Sequence, residues 1–164
     1  MEELPTFRFA LREDLKGEKR FLPTRAEPLA TGWDCRAAMR DRKPLIIRAG
    51  QYVRIPLGFR CMCPSNWWFK LAPRSSSFVK KSMHALYGVV DEAYNLEMLF
   101  CFQYLPDLGS LGHDLRIEFG DAIAQIIPVR RQEMNVEEIS NADLEEMYRK
   151  RNAVRNGGFG STSR

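Results

Sequence analysis

Leu45-Ile46-Ile47-Arg48-Ala49-Gly50-Gln51-Tyr52-Val53-Arg54-Ile55-Pro56 places two short apolar runs around Ala49-Gly50-Gln51, a hairpin-like pattern of strands rather than helix. The same period of two continues outward. Phe59, Cys61 and Cys63 alternate with Arg60 and Met62; Met98, Phe100, Phe102 and Tyr104 form a second set, and Leu115, Ile117 and Phe119 a third. Turn residues punctuate these runs: Pro56 with Gly58, Cys63-Pro64-Ser65-Asn66, Pro106-Asp107, and Gly109 to Gly112. Short strands at such spacing predict an all-β barrel or sandwich, not a parallel α/β sheet. Phe7 to Leu11 reads as an edge strand, and no internal repeat is visible.

One helix follows late in the chain. Ser140-Asn141-Ala142-Asp143 resembles a capping box, and Leu144, Met147, Tyr148 and Arg151 recur at helical spacing. Glu145 with Arg149 and Glu146 with Lys150 add supporting pairs four apart. Beyond it, residues 149–164 hold five basic residues and no acid, and end in glycines, serines and a threonine that cannot build a core. The expected organisation is a β-barrel domain over 1–140, a short helix over 141–152 and a flexible glycine-rich arm over 153–164.

Composition narrows the function classes. Of the 164 residues, 45% are hydrophobic and 28% charged, an ordinary globular balance that excludes global disorder. No apolar run approaches the ~20 residues that span a bilayer, so no membrane partner is expected. Met1-Glu2-Glu3-Leu4-Pro5 lacks the basic and apolar regions of a signal peptide, and a cytoplasmic protein is expected. A net charge of +4 is too weak to imply stable nucleic-acid binding. The four cysteines lack two CxxC pairs and read as buried, reduced thiols, with Cys61 and Cys63 on one strand face. His84 and His113 have no paired ligands and read as surface or loop residues, while Trp67-Trp68 suits a surface hairpin or subunit contact, with core or interface packing, more than a cofactor box.

Four stretches can carry chemistry. Arg74-Ser75-Ser76-Ser77 after Pro73 is either a polar turn or a phosphate cradle of guanidinium, hydroxyls and amides. Asp91 directly after the apolar Gly88-Val89-Val90, with Tyr94 three residues on, is a good turn and also a frame for a planar ligand, where Asp91 can activate water. Gln125 lies inside the apolar run 122–127 and must find hydrogen-bond partners, in the protein or in a ligand. In the tail, Arg155, Phe159, Gly160, Ser161 and Thr162 form either a floppy terminus or an anion-binding arm with a ring to stack on a base.

Taken in order, these stretches resemble the trimeric dUTPase (deoxyuridine triphosphate nucleotidohydrolase) family over roughly residues 20–164. Leu22-Pro23-Thr24 with Ala30-Thr31-Gly32-Trp33-Asp34-Cys35-Arg36-Ala37 resembles the first family motif, and Pro73-Arg74-Ser75-Ser76 the second. Gly88-Val89-Val90-Asp91-Glu92-Ala93-Tyr94 resembles the third, Gly120-Asp121-Ala122-Ile123-Ala124-Gln125 the fourth, and Gly157-Gly158-Phe159-Gly160-Ser161-Thr162 the fifth.

The resemblance implies a distorted jelly-roll β barrel in a homotrimer with shared active sites. It implies hydrolysis of dUTP to dUMP and pyrophosphate by water attack at the α-phosphorus. On that basis Asp91 deprotonates the water, and Tyr94 packs under the deoxyribose and excludes a 2′-hydroxyl. The backbone from Gly88 and Val89 to Met98 reads uracil in a narrow hairpin. Arg74, Ser75, Ser76 and Gln125 hold phosphate oxygens. Phe159 and Gly160 cover the base, while Ser161, Thr162 and Arg155 meet the distal phosphates. Mg²⁺ arrives with the triphosphate, with Asp34 as an outer-sphere partner through water.

The chain departs from the family at several positions. Val154 stands where the family's tail arginine lies, and Arg155 is one residue nearer the phenylalanine. Ser76 and Leu96 replace glycines, Ala93 an aspartate and Ala122 an arginine. Two other readings share the fold: a dCTP deaminase-like or bifunctional enzyme, for which Glu92 or Glu97 is the candidate glutamate, and a scaffold binding a regulatory protein through residues 133–151.

Overall fold

The computed structural model describes residues 4–107, 109 and 112–151. These fall into two compact units, divided between Gln132 and Glu133. In the first unit eleven antiparallel strands are described: β1 (Arg8–Leu11), β2 (Trp33–Arg36), β3 (Leu45–Ile47), β4 (Tyr52–Pro56), β5 (Phe59–Met62), β6 (Trp67–Pro73), β7 (Met83–Ala85), β8 (Gly88–Val90), β9 (Leu99–Tyr104), β10 (Leu115–Ile117) and β11 (Ala122–Arg130). They pair as β1–β5, β3–β10, β2–β11–β6–β8 and β4–β9–β7. The all-β expectation holds, and the edge strand near Phe7 is β1 against β5.

The opening stretch is not a hairpin. β3 pairs with β10 and β4 with β9, so the two runs diverge into different sheets. The Arg48–Gln51 turn closes on itself, while Gly50 N–H donates to the Tyr104 carbonyl at 2.7 Å and Gln51 accepts from Tyr104 N–H. Tyr104 thus takes the pairing that the hairpin would have needed. Local alternation identifies strands, but their partners are set by which apolar faces can be buried together.

Those faces meet in one large core of Ile47, Ile55, Phe59, Phe100, Phe102, Ile117, Ile123 and Ile126, with Met83 and Met98 filling gaps. Alternation in β9 is clean, with Phe100, Phe102 and Tyr104 buried and Leu99 and Gln103 exposed. A satellite cluster of Leu15, Phe21 and Ala38 is roofed by Phe119, over which Arg20 and Arg42 both lie.

Trp67-Trp68 does not form a surface hairpin; it begins β6, a central strand bonded on both sides, and Trp67 packs edge-on to Phe7. The four cysteines are free, with Cys35 and Cys63 buried. Burial, with Cys63 as neighbour, pushes the Cys61 thiol up to about 12.

Besides short 3-10 turns at Glu13–Leu15 and Lys19–Phe21, two α-helices depart from pure β. The serine run forms one turn of helix, α1 (Ser75–Val79), a helix that the strand pattern does not announce. In the second unit α2 (Asn141–Lys150) lies where the helical spacing predicts it. Its N-cap is Ser140, whose hydroxyl accepts from the Asp143 N–H at 3.1 Å, and Glu146 pairs with Lys150. The helix buries no residue.

Candidate functional site

The sequence-predicted residues gather at two places on the sheet β2–β11–β6–β8. At the C-terminal end of β6, Asp34, Gln125 and Ala72 sit level on adjacent strands. Arg74 follows β6 as the N-cap residue of the Ser75–Val79 turn, and its Nε pairs with Asp34 Oδ1 at 3.0 Å while Nη1 donates to the Ala122 carbonyl at 3.3 Å. The guanidinium is therefore held by two of its three nitrogens, and Nη2 has no protein partner among the described residues. A planar fork fixed in this way is suited to a phosphate oxygen.

Ser75 and Ser76 follow in the first turn of α1, exposed and half-buried respectively. Ser76 carries no positive φ, so a side chain in place of the family glycine causes no backbone strain. Ser77 is different: it is buried, and its hydroxyl donates to the Ile123 carbonyl at 2.7 Å, tying α1 to β11. Gln125 resolves the question its burial raises by donating from Nε2 to the Pro73 carbonyl at 3.0 Å. Its Oε1 lies so close to Gly32 that any Cβ there would overlap it. Gly32 is needed for approach, not for φ.

The second place lies between β8 and β9. The expected narrow hairpin is not a ladder: β8 pairs with β6 and β9 with β4 and β7, so the two arms splay into separate sheets. Between them is a mostly apolar cavity of about 220 Å³, lined by Gly88, Val89, Tyr94 and Met98 with Leu71, Leu86 and Cys101 among others. Leu71, Leu86 and Cys101 carry no mark in the sequence, because only the fold brings three strands together here. Met98 is buried, and its backbone is fixed by bonds to Leu57 and Phe59. Leu96, in place of the family glycine, is exposed and has no positive φ.

Asp91 follows the lining residue Val90 and is exposed, its carboxylate without a hydrogen-bond or ion-pair partner among the described residues. Its carbonyl accepts the Tyr94 N–H at 3.0 Å, which closes the turn. The next residue is held firmly. Glu92 accepts from the Asn66 N–H at 2.9 Å and pairs with Arg131 at 3.3 Å, and Arg131 also donates to Asn66 Oδ1 at 2.9 Å. Asn66 takes φ 65°, a left-handed turn that asparagine tolerates, and this aims its N–H at the carboxylate. At the other foot of the loop, Glu97 pairs with Arg12 at 2.7 Å and Arg40 at 2.8 Å, while its carbonyl accepts from the Tyr94 hydroxyl at 3.0 Å.

The two places do not meet within one chain. Val90 is level with Phe69, so Asp91 lies level with residue 68, six positions from Arg74, or roughly 20 Å at the rise of a strand. A base and a phosphate clamp acting on one phosphorus must both come within a few ångströms of it. The remaining expected residues, Arg155, Phe159, Gly160, Ser161 and Thr162, lie outside the described residues.

For a metal, no cluster of three His, Cys, Asp or Glu is found among the described residues. An all-protein cage is thus not built here, whereas one carboxylate, Asp34, suits an ion that brings phosphate and water ligands of its own.

Antiparallel sheets wrapped around one core, with a cavity opening between splayed strands, make this a jelly-roll-like β protein, and its solved neighbours share that class. It superimposes on the dUTPase from Streptococcus mutans with a TM-score of 0.66 at 23% identity, covering 78% of this chain and 98% of that one. On the dUTPase from phage phi11 of Staphylococcus aureus the TM-score is 0.68 at 15% identity, covering 83% and 97%. In sequence, it is 32% identical over 145 residues to the deoxyuridine 5′-triphosphate nucleotidohydrolase of Arabidopsis thaliana, covering 88% of this chain and 78% of that one. The Aquifex aeolicus enzyme of the same name is 36% identical over 117 residues, 69% and 73% of the two chains. Residues 18–163 match the dUTPase family, and the chain belongs to it.

Proposed function

We propose that the protein hydrolyses dUTP to dUMP and pyrophosphate, keeping uracil out of DNA and supplying dUMP. The observation that carries this reading is the cavity between β8 and β9, large enough for a base, with the unpaired Asp91 directly following the lining residue Val90. Uracil enters between the arms against backbone and apolar side chains. Tyr94, tethered to the Glu97 carbonyl, packs under the deoxyribose and leaves no room for a 2′-hydroxyl. Asp91 orients and deprotonates the water that attacks the α-phosphorus. Arg74, Ser75, Ser76 and Gln125 hold phosphate oxygens. Asp34 would meet, through water, the Mg²⁺ that the triphosphate brings, and the ion would supply neutralisation of charge on the pyrophosphate.

Because Asp91 and Arg74 are separated along β6, the working site takes them from different copies of the chain. This supports a homotrimer with shared sites, and the tail residues Arg155 and Phe159 to Thr162 close over a neighbour's nucleotide. A cytoplasmic location goes with this reading. The deaminase alternative needs a free glutamate near the third motif, whereas Glu92 and Glu97 are both engaged in ion pairs.

The test is pyrophosphate release from dUTP, UTP, dTTP and dCTP with Mg²⁺, for the protein and for Asp91→Asn. Release from dUTP alone, lost in the variant, is expected. Ammonia from dCTP, or no turnover of dUTP, refutes it.

A further inference from the structure

Residues 1–17 precede the segment that matches the family, yet one of them reaches the base cavity's support. Arg12 follows β1, and its side chain is only 11% exposed. Its three nitrogens are all occupied. Nε donates to Asp14 Oδ1 at 2.6 Å, Nη2 to Asp14 Oδ2 at 2.9 Å and to the Ala38 carbonyl at 3.0 Å, and Nη1 to Glu97 Oε1 at 2.7 Å.

Asp14 and Ala38 fix the guanidinium plane, so what remains for Glu97 is one aimed donor and not a mobile charge. The same guanidinium holds the Asp14 carboxyl below the usual carboxylate range. Glu97 Oε2 takes Arg40, whose side chain is largely exposed. Through its carbonyl, Glu97 also receives the Tyr94 hydroxyl. A continuous set of short contacts therefore runs from the N-terminal segment, through Glu97, to the ring that lines the cavity.

We propose that Arg12 and Glu97 are a positioning pair that sets the place of Tyr94 in the base cavity, making the N-terminal segment part of the machinery for nucleotide selection. The proposal rests on the dUTP reading of the cavity. Neither residue touches the reacting atoms. Their effect falls on binding and on discrimination against a 2′-hydroxyl, with chemistry at Asp91 left alone. Glu97 is thereby given a role other than proton transfer.

The experiment is steady-state kinetics on the full chain with dUTP and UTP, for Arg12→Met, Arg12→Lys, Glu97→Gln, Asp14→Asn and the Arg12→Met/Glu97→Gln double variant. Loss of one charge-assisted hydrogen bond predicts a KM for dUTP raised on the order of tenfold. The preference for dUTP over UTP shrinks by a similar factor, and kcat changes little. Arg12→Lys restores part of the loss. The double variant is no worse than the poorer single one, because both remove the same link. Asp14→Asn, which loosens Arg12 without touching the loop, gives a smaller change.

If KM and the dUTP:UTP ratio stay at wild-type values while only thermal stability falls, the pair is merely structural and the proposal is overturned. Should Arg12→Met fail to fold, Glu97→Gln, which keeps shape and removes charge, carries the same decision. A wild-type chain that turns over dUTP while these variants match it refutes the pair alone. A wild-type chain that leaves dUTP intact refutes the reading beneath it as well.

Discussion

At Gly58, φ is +78° and a Cβ would overlap both Leu15 Cδ1 and Ala38 Cβ. Both penalties act at one residue, a left-handed backbone and a filled space. Gly58→Ala is expected to cost about 2–4 kcal/mol, read as a lowered denaturation midpoint by urea with an unchanged slope. Gly32 is the contrasting case, since its backbone is not left-handed and what a Cβ would meet first is the Gln125 side chain. The two positions also mark what a sequence discloses. Gly58 follows Pro56 in an evident turn, so its conformation is readable locally. The demand at Gly32 comes from a residue on β11, far along the chain, and no spacing rule exposes it. Gln125 is intermediate: an amide in an apolar strand announces that a partner exists, while only the fold identifies the Pro73 carbonyl.

Among the elements, the loop between β8 and β9 decides the site. It carries Asp91 and Tyr94, and ion pairs hold both its feet. At the first foot, Asn66 and Arg131 grip Glu92, one residue from the proposed base. Glu92→Gln keeps the Asn66 bond and weakens the Arg131 pair, whereas Glu92→Ala removes both. The expected order of kcat is wild type, then Glu92→Gln, then Glu92→Ala, with the last down on the order of tenfold and KM for dUTP little altered; equal kcat in all three would refute the clamp. Strand identities around this loop were legible because alternation of apolar residues is local. The strand partners were not, and the supposed hairpins at 45–55 and 88–98 both open into separate sheets. Arg12 and Arg131 give no signal either, since single arginines are common on any surface, and Asn66 shows only as a turn residue, without its partner. The α1 turn is hidden for a related reason: three serines favour turns and caps as readily as helix.

For the whole molecule, the roughly 20 Å along β6 between Asp91 and Arg74 makes a specific demand on assembly. Asp91→Asn and Arg74→Ala chains should each be inactive alone. Unfolded and refolded together in equal amounts, they should recover activity, since about a quarter of shared sites then combine an intact Asp91 with an intact Arg74. Recovery on mixing is the measurement. If each chain held a complete site, mixing would restore nothing.

The strand pairing has a further consequence for how the chain comes to be folded. Trp33 in β2 is paired with Ile126 in β11, and Arg12 with Glu97, so the early strands emerge from a ribosome long before their partners exist. Sheets closed by such distant pairings fold slowly, and their unsatisfied edges are open to association in the meantime. The site is complete only late, because its cavity walls need β6, β8 and β9 together and its other half needs β11, which carries Gln125 and bonds to β6. A nascent chain cannot select a nucleotide until nearly all of it has been made.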